Sequence, residues 1–292
     1  MVLIHNAYKD FSKLPPLNLD ERHNPFAKYY EVPVVPPADA ILEAIAPNAP
    51  MDPSKAMPIT EIARLFDPAD TAAKNGWCIL PDGTGYATVT IDMPDMTPKE
   101  YSLFVIFGHM NTLNYKVWLP KMHLQQGDFT IKDLGWGPLI MHPHWTVAEN
   151  KGRSVGSWYV SPDAITRAAM KAAGIDIEHP REMDPEFIAF SGGSMITVDV
   201  MDGELIHFVK LYYVRHVGEG LQIRVCSWMG MTLEEDGTLR RVVGDNEHLF
   251  ADRLCGIATG CAFEWTRANA IGREVCRDLR RQIANASVGG FL

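Results

Sequence analysis

A chain of 292 residues, 47% hydrophobic and 22% charged, is long enough to bury a substantial core and is neither disordered nor fibrous. Its 27 Lys and Arg stand against 36 Asp and Glu, a formal charge of -9, and no basic cluster interleaves with aromatics, so nucleic acid is excluded as an expected partner. No signal-peptide pattern opens the chain and no run approaches a membrane span, so a cytoplasmic protein without a membrane partner is expected. Five cysteines without CxxC spacing, Cys78, Cys226, Cys255, Cys261 and Cys276, read as small buried hydrophobes in a reducing compartment.

The first 58 or so residues carry ten prolines, from Pro15 to Pro58, which predicts an irregular arm over the surface with one short helix at about 38 to 46. Short helices follow at about 59 to 66 and about 68 to 74, the second capped by Asp67 with Pro68 at its first position. Gly76 to Leu80 and Gly85 to Asp92 flank Pro81-Asp82-Gly83 and read as a hairpin. Thr97-Pro98-Lys99-Glu100 is a capping box that starts a helix to about 110, with Tyr101, Phe104 and Phe107 on its apolar face and His109 at its end. The run Gly108 to His123 reads as a strand-to-loop transition, crowded with groups able to bind metal or move protons.

Strands are predicted at about 136 to 148 and 153 to 160, then a helix from Ser161-Pro162 to about 173 and a loop at about 174 to 186. Three long strands at about 187 to 200, 204 to 217 and 221 to 232 form an antiparallel meander. From Phe250 to Leu279 the residues Phe250, Leu254, Ile257, Cys261, Glu264, Ala268, Ile271, Val275 and Leu279 recur in steps of three and four, one face of a long helix. Glu264 sits inside this apolar stripe, where a carboxylate must be paired, protonated or bound to metal. A long antiparallel sheet closed by one long helix predicts an α+β helix-grip arrangement with a cavity between them, residues 1–75 forming an arm and 76–292 the catalytic domain. Extension of the helix also predicts a homodimer, paired through Ile271, Val275, Leu279 and Ile283.

His142-Pro-His144 places two imidazoles on one strand face, able to chelate one ion, with Glu149 five residues on. This resembles the first cupin metal motif, but no second motif follows and a helix of about thirty-five residues, roughly 50 Å, does not belong to that barrel. His207 and His216 fall on opposite faces of their strand.

The run Tyr115-Lys-Val-Trp118-Leu-Pro120-Lys-Met-His123, after an aromatic helix opened by Thr97-Pro98, resembles the 2,4-diacetylphloroglucinol and phloretin hydrolase family. Arg224 to Trp228 on a strand and Cys261-Ala-Phe-Glu264 on the last helix match two further motifs, and the resemblance covers about 75 to 270. It implies a Bet v 1-like helix-grip with a curved antiparallel sheet, a zinc ion, and hydrolysis of the bond between an acyl group and a phenolic ring carbon. By the resemblance His123 is the first zinc histidine, Glu264 the helix glutamate, Tyr115 the substrate tyrosine, and Glu149 the match for the other carboxylate. Gly260, Tyr212 and Ser227 depart from the family, standing where a helix histidine, a strand histidine and an aromatic are expected. His142, His144 or His109 could complete the metal shell, or Glu264 could act without metal as an acid of raised pKa.

The expected enzyme is therefore a zinc-dependent hydrolase of retro-Claisen type on an acylated phenolic or polyketide-like ring. Its catalytic residues are Tyr115, Tyr212 and Glu264, its metal ligands come from His123, Glu149, Glu264, His142 and His144, and Asn111, Asn114, Trp118, Ser227 and Trp228 bind substrate. The alternative is a lyase, isomerase or cyclase on an aromatic compound with an altered or absent metal site. A carrier of a hydrophobic ligand is disfavoured, since it needs no carboxylate at Glu264.

Overall fold

The structure is a computed structural model that describes residues 11, 13–67, 69–126, 144–150, 153–160, 184, 186–199, 205–233, 238–244 and 247–289. Short helices α1 (Leu19–Arg22), α2 (Ala27–Tyr30) and α3 (Asp39–Ala44) and the 3-10 helix Ile59–Phe66 precede the hairpin β1 (Gly76–Ile79) and β2 (Gly85–Met93). Two packed helices follow, α4 (Pro98–His109) and α5 (Thr112–Trp118). The remaining main strands are β3 (His123–Gln126), β4 (His144–Asn150), β5 (Arg153–Val160), β6 (Phe187–Asp199), β7 (Leu205–Val217) and β8 (Gly220–Met229). A small ribbon, β9 (Met231–Leu233) and β10 (Leu239–Arg241), leads into the last helix, α6 (Phe250–Gly289).

The strands form one eight-stranded sheet in the order β1-β2-β8-β7-β6-β5-β4-β3, with antiparallel pairing throughout. Laid flat, seven gaps of about 4.8 Å would hold the two edge strands roughly 34 Å apart. Yet β1 packs on α6, and His123 at the start of β3 lies 3.9 Å from Glu264 on the same helix. Both sheet edges reach one helix, so the sheet curls round it.

Alternation divides the two faces of β7 and β8 cleanly. Ile206, Phe208, Tyr212 and Val214 of β7, with Ile223, Val225 and Met229 of β8, pack against Leu254, Cys255, Ala258, Cys261, Ala262 and Trp265 of α6. Val209, Leu211, Tyr213, Cys226 and Trp228 face the other way, onto Met57, Ile62, Leu65 and Phe66. Proline-rich though it is, the arm shares the main core: Leu17, Phe26, Tyr29, Tyr30 and Ile45 are buried in the same cluster as α4 and α6.

Two expectations of local structure give way to tertiary contacts. Residues 69–74 form no helix: Asp67 accepts from the Ala69 amide in a local turn, and Asp70 is drawn to Arg224 at 3.0 Å and Arg64 at 2.8 Å, while Arg224 also donates to Ala73 O. The stretch after His109 is helix rather than strand, because the Asn111 side chain caps the Asn114 amide at 2.9 Å and starts α5. Residues 136–143 and the helix expected at 161–173 lie outside the described residues, as does most of the loop expected at 174–186. The dimer stripe is consumed internally: Ile271, Val275 and Leu279 are buried in this chain's own core, and of the four only Ile283 is exposed. All five cysteines are free and buried. Among the described residues no helix is long and apolar enough to cross a membrane.

Arg267 fastens three elements together. Its guanidinium, 1% exposed, donates to Val117 O of α5 at 2.8 Å, to Val32 O at 2.9 Å and to Tyr29 O of α2 at 2.7 Å. Burial pulls its pKa down to about 10, so it is still charged at neutral pH. Removing it leaves buried carbonyls without donors. Arg267→Met should therefore lower the unfolding free energy by about 2–4 kcal/mol in denaturant titration. A loss under about 1 kcal/mol would refute the anchoring role.

Candidate active site

The α5–β3 connection builds one half of the site. Helix α5 ends at Trp118, and a turn through Pro120 and Lys121, whose φ of 70° is left-handed, reverses the chain. That reversal returns the His123 amide to Leu119 O at 3.0 Å and the imidazole Nδ1 to Tyr115 O at 3.2 Å. A carbonyl can only accept, so Nδ1 carries the proton, and in the neutral form of the ring the lone pair is at Nε2. The Tyr115 ring lies flat on His123, with centroids 3.9 Å apart and planes 2° apart, and Trp118 stands at 90° to it. Gly108 of α4 permits this packing, since a Cβ there would fall 2.2 Å from the Trp118 ring.

The other half comes from α6. Glu264 brings Oε1 to 3.9 Å from His123 Nε2, beyond hydrogen-bond length, and both side chains are nearly buried. Burial pushes the Glu264 carboxyl up to about 7, against the opposing charge of Lys210. The Tyr101 hydroxyl of α4 is also raised, first by burial and then by Glu264.

Aromatic rings line the approach. Trp265 stacks on Tyr101 at 5.6 Å and meets the edges of Trp118 at 5.3 Å and Tyr212 at 6.1 Å. The indole nitrogens of Trp118 and Trp265 and Oδ1 of Asn114 are buried without a hydrogen-bond partner among the described residues. Buried donors and an acceptor left open beside an acid and a base suit a ligand that carries hydroxyl or carbonyl groups.

His123 and Glu264 fit two positions of a metal shell. Their donor separation is near the roughly 3.4 Å edge of a tetrahedral zinc site, and the Nδ1–H bond to a carbonyl is the usual means of orienting a zinc histidine. Among the described residues no group of three or more His, Cys, Asp or Glu surrounds a common point. His142 lies outside the described residues, and β4 is described at His144 and Glu149 in its backbone alone.

The other expected residues fall in several places. Tyr212 and Ser227 lie on the inner face, and Ser227 pairs across the ladder with Lys210. Trp228 points to the opposite side of the sheet and donates to Met57 O at 2.8 Å, and Asn111 is an exposed cap beside Asn18, Glu21 and Lys116, so neither is brought to the pair. His109 is buried against Trp118 at 5.4 Å.

Lys210 and Tyr101 were not anticipated as site residues. Lys210 shares the inward parity of Phe208 and Tyr212, a charged residue on an apolar face, and that was its sequence signal. Tyr101 was legible only as part of an apolar helix face.

Comparison with curated proteins gives no match. The model of the family described as DAPG hydrolase, PhiG domain, matches residues 57–271, which include α4, α5, the sheet and α6 as far as the buried carboxylate and the arginine anchor. The chain thus belongs to the DAPG hydrolase family, enzymes of the hydrolase class that act on phloroglucinol-type compounds.

Proposed function

We propose that this protein hydrolyses the carbon–carbon bond between an acyl group and a phenolic ring carbon, in a Bet v 1-like helix-grip, with zinc as its metal. The observation that carries the reading is the meeting of His123 and Glu264, 3.9 Å apart although 141 positions separate them in the sequence, within an aromatic lining. Zinc would be held by these two and completed by Glu149 with His144 or His142. When bound, it supplies Lewis acidity, polarising an acyl carbonyl and making water a nucleophile at neutral pH.

The protein's own groups account for the rest. Tyr115 and its carbonyl fix the orientation and tautomer of His123. Trp118, Trp265 and Tyr101 exclude water and stack a ring, and the open indole N–H groups receive its oxygens. As the acyl group leaves as a carboxylic acid, the bonding pair stays on the ring carbon, which takes a proton. Tyr212, on the inner face against Trp265, is the group to deliver it while Glu264 serves as a ligand.

Protein purified without chelator should carry about one zinc per chain by plasma mass spectrometry. His123→Ala and Glu264→Gln should each lose the metal and lower turnover of an acylphloroglucinol roughly a hundredfold or more. Wild-type protein without metal that still turns the substrate over would sink the zinc reading, leaving Glu264 and Tyr212 as metal-free acid–base groups.

Burial of Glu264 also has a thermodynamic signature. In the folded chain its carboxyl ionises at about 7 instead of 4.5, so between those values the folded chain binds more protons than the unfolded one. In chelator-treated protein, stability should fall as pH rises through that window, and Glu264→Gln should remove this component. An unchanged slope in the variant would show that the carboxyl is not shifted.

A further inference from the structure

On the inner face of β7 and β8 the residues are Ile206, Phe208, Lys210, Tyr212 and Val214, and Leu221, Ile223, Val225, Ser227 and Met229. Lys210 is the only charged residue among these positions. Its ladder partner is Ser227, which in turn pairs with Ala87, so small residues flank Lys210 on this side of the sheet. The Lys210 ammonium hydrogen-bonds the Cys261 thiol, acts electrostatically on Glu264, and lies 4.9 Å from the centre of the Tyr212 ring. Groups around it thus include Cys261 and Glu264 from α6, Ser227 from β8 and Tyr212 from its own strand.

Cys261 precedes Glu264 by three residues, a rise of about 4.5 Å along α6, close to the span of one oxygen-substituted benzene ring. An acyl carbonyl at His123 and Glu264 would therefore set a ring oxygen near the ammonium. Acyl groups conjugated with the ring make its hydroxyls more acidic, and cleavage of the acyl–ring bond leaves electron density that a ring oxygen can carry. In a partly buried site, a fixed ammonium stabilises such charge more strongly than water does.

We propose that Lys210 is the phenolate-binding residue of the grip, pairing its ammonium with the ring oxyanion of a phenol whose acyl arm reaches His123 and Glu264. The inference deepens the acyl-phenol reading and rests on it. It makes the site selective for rings with a free acidic hydroxyl over their O-methylated counterparts. The phenol proton leaves to solvent when the anion binds, and no other bond changes.

The test uses the full chain with 4-nitrophenol, whose anion is coloured, and 4-nitroanisole as the neutral analogue. Wild-type protein should lower the apparent pKa of bound 4-nitrophenol by about one unit or more. Lys210→Arg should keep that shift and Lys210→Met should abolish it, while affinity for 4-nitroanisole changes less than about twofold. Persistence of the shift in Lys210→Met, loss of nitroanisole binding together with the shift, or a wild-type protein that binds neither probe would each overturn the proposal. Turnover of an acylphenol by the same wild-type preparation separates the two readings. A Lys210-dependent shift without hydrolysis overturns the reaction, whereas hydrolysis with a Lys210-independent shift overturns the role of Lys210 alone.

Discussion

One guanidinium, that of Arg267, sets the geometry on which the site depends. Lying in the core, it must satisfy its donors with protein acceptors, and those it finds are backbone carbonyls from the arm and from the last turn of α5. Its own helix carries Glu264 three residues earlier. Helix α5 carries Tyr115 and Trp118 and leads directly to His123. A single buried charge thus ties the helix bearing the acid to the helix that leads into the base.

Curvature of the sheet is the complementary constraint. Eight antiparallel strands cannot bring both edges to one helix while flat, so the twist natural to strands is spent on wrapping α6. The inner face is then a curved wall packed on the helix through Phe208, Val225 and Met229. Where Gly85 meets the helix the contact is tight, with a Cβ falling 2.6 Å from Leu254, whereas around Lys210 and Ser227 polar groups replace apolar ones. A grip that packs hard at one end and tolerates polar groups at the other suits a ligand with an apolar ring and oxygen substituents.

The outer face is closed differently. Residues 56–66 cover it with apolar side chains, and Arg224 holds Asp70 and Ala73 against it. Asp184, paired with Arg215 and accepting from the Tyr213 hydroxyl, seals its edge beside Phe187. Asp70 and Asp184 are thus each paired with arginine, as a buried carboxylate requires. Glu264 differs: it faces an imidazole at 3.9 Å rather than a paired arginine, and the neighbouring Trp118 and Trp265 carry buried indole N–H groups with no acceptor among the described residues.

The sequence by itself determined the elements whose signals are local. The capping box at Thr97 opened a helix, the Asp82-Gly83 turn made a hairpin, the long strands alternated, and the three-and-four spacing of α6 marked Glu264 as a carboxylate on an apolar face. Motif resemblance reached the family and named His123 from the same residues. Only the tertiary structure decided what depends on partners distant in sequence. It drew Asp70 to Arg224 instead of into a helix, made Asn111 the cap of α5, and turned Trp228 to the outer face. It also buried the presumed dimer stripe within the chain and set Lys210 beside Cys261 and Glu264. Periodicity reports which face of an element is buried, but not which other element covers it, and the chemistry here arises where two elements meet.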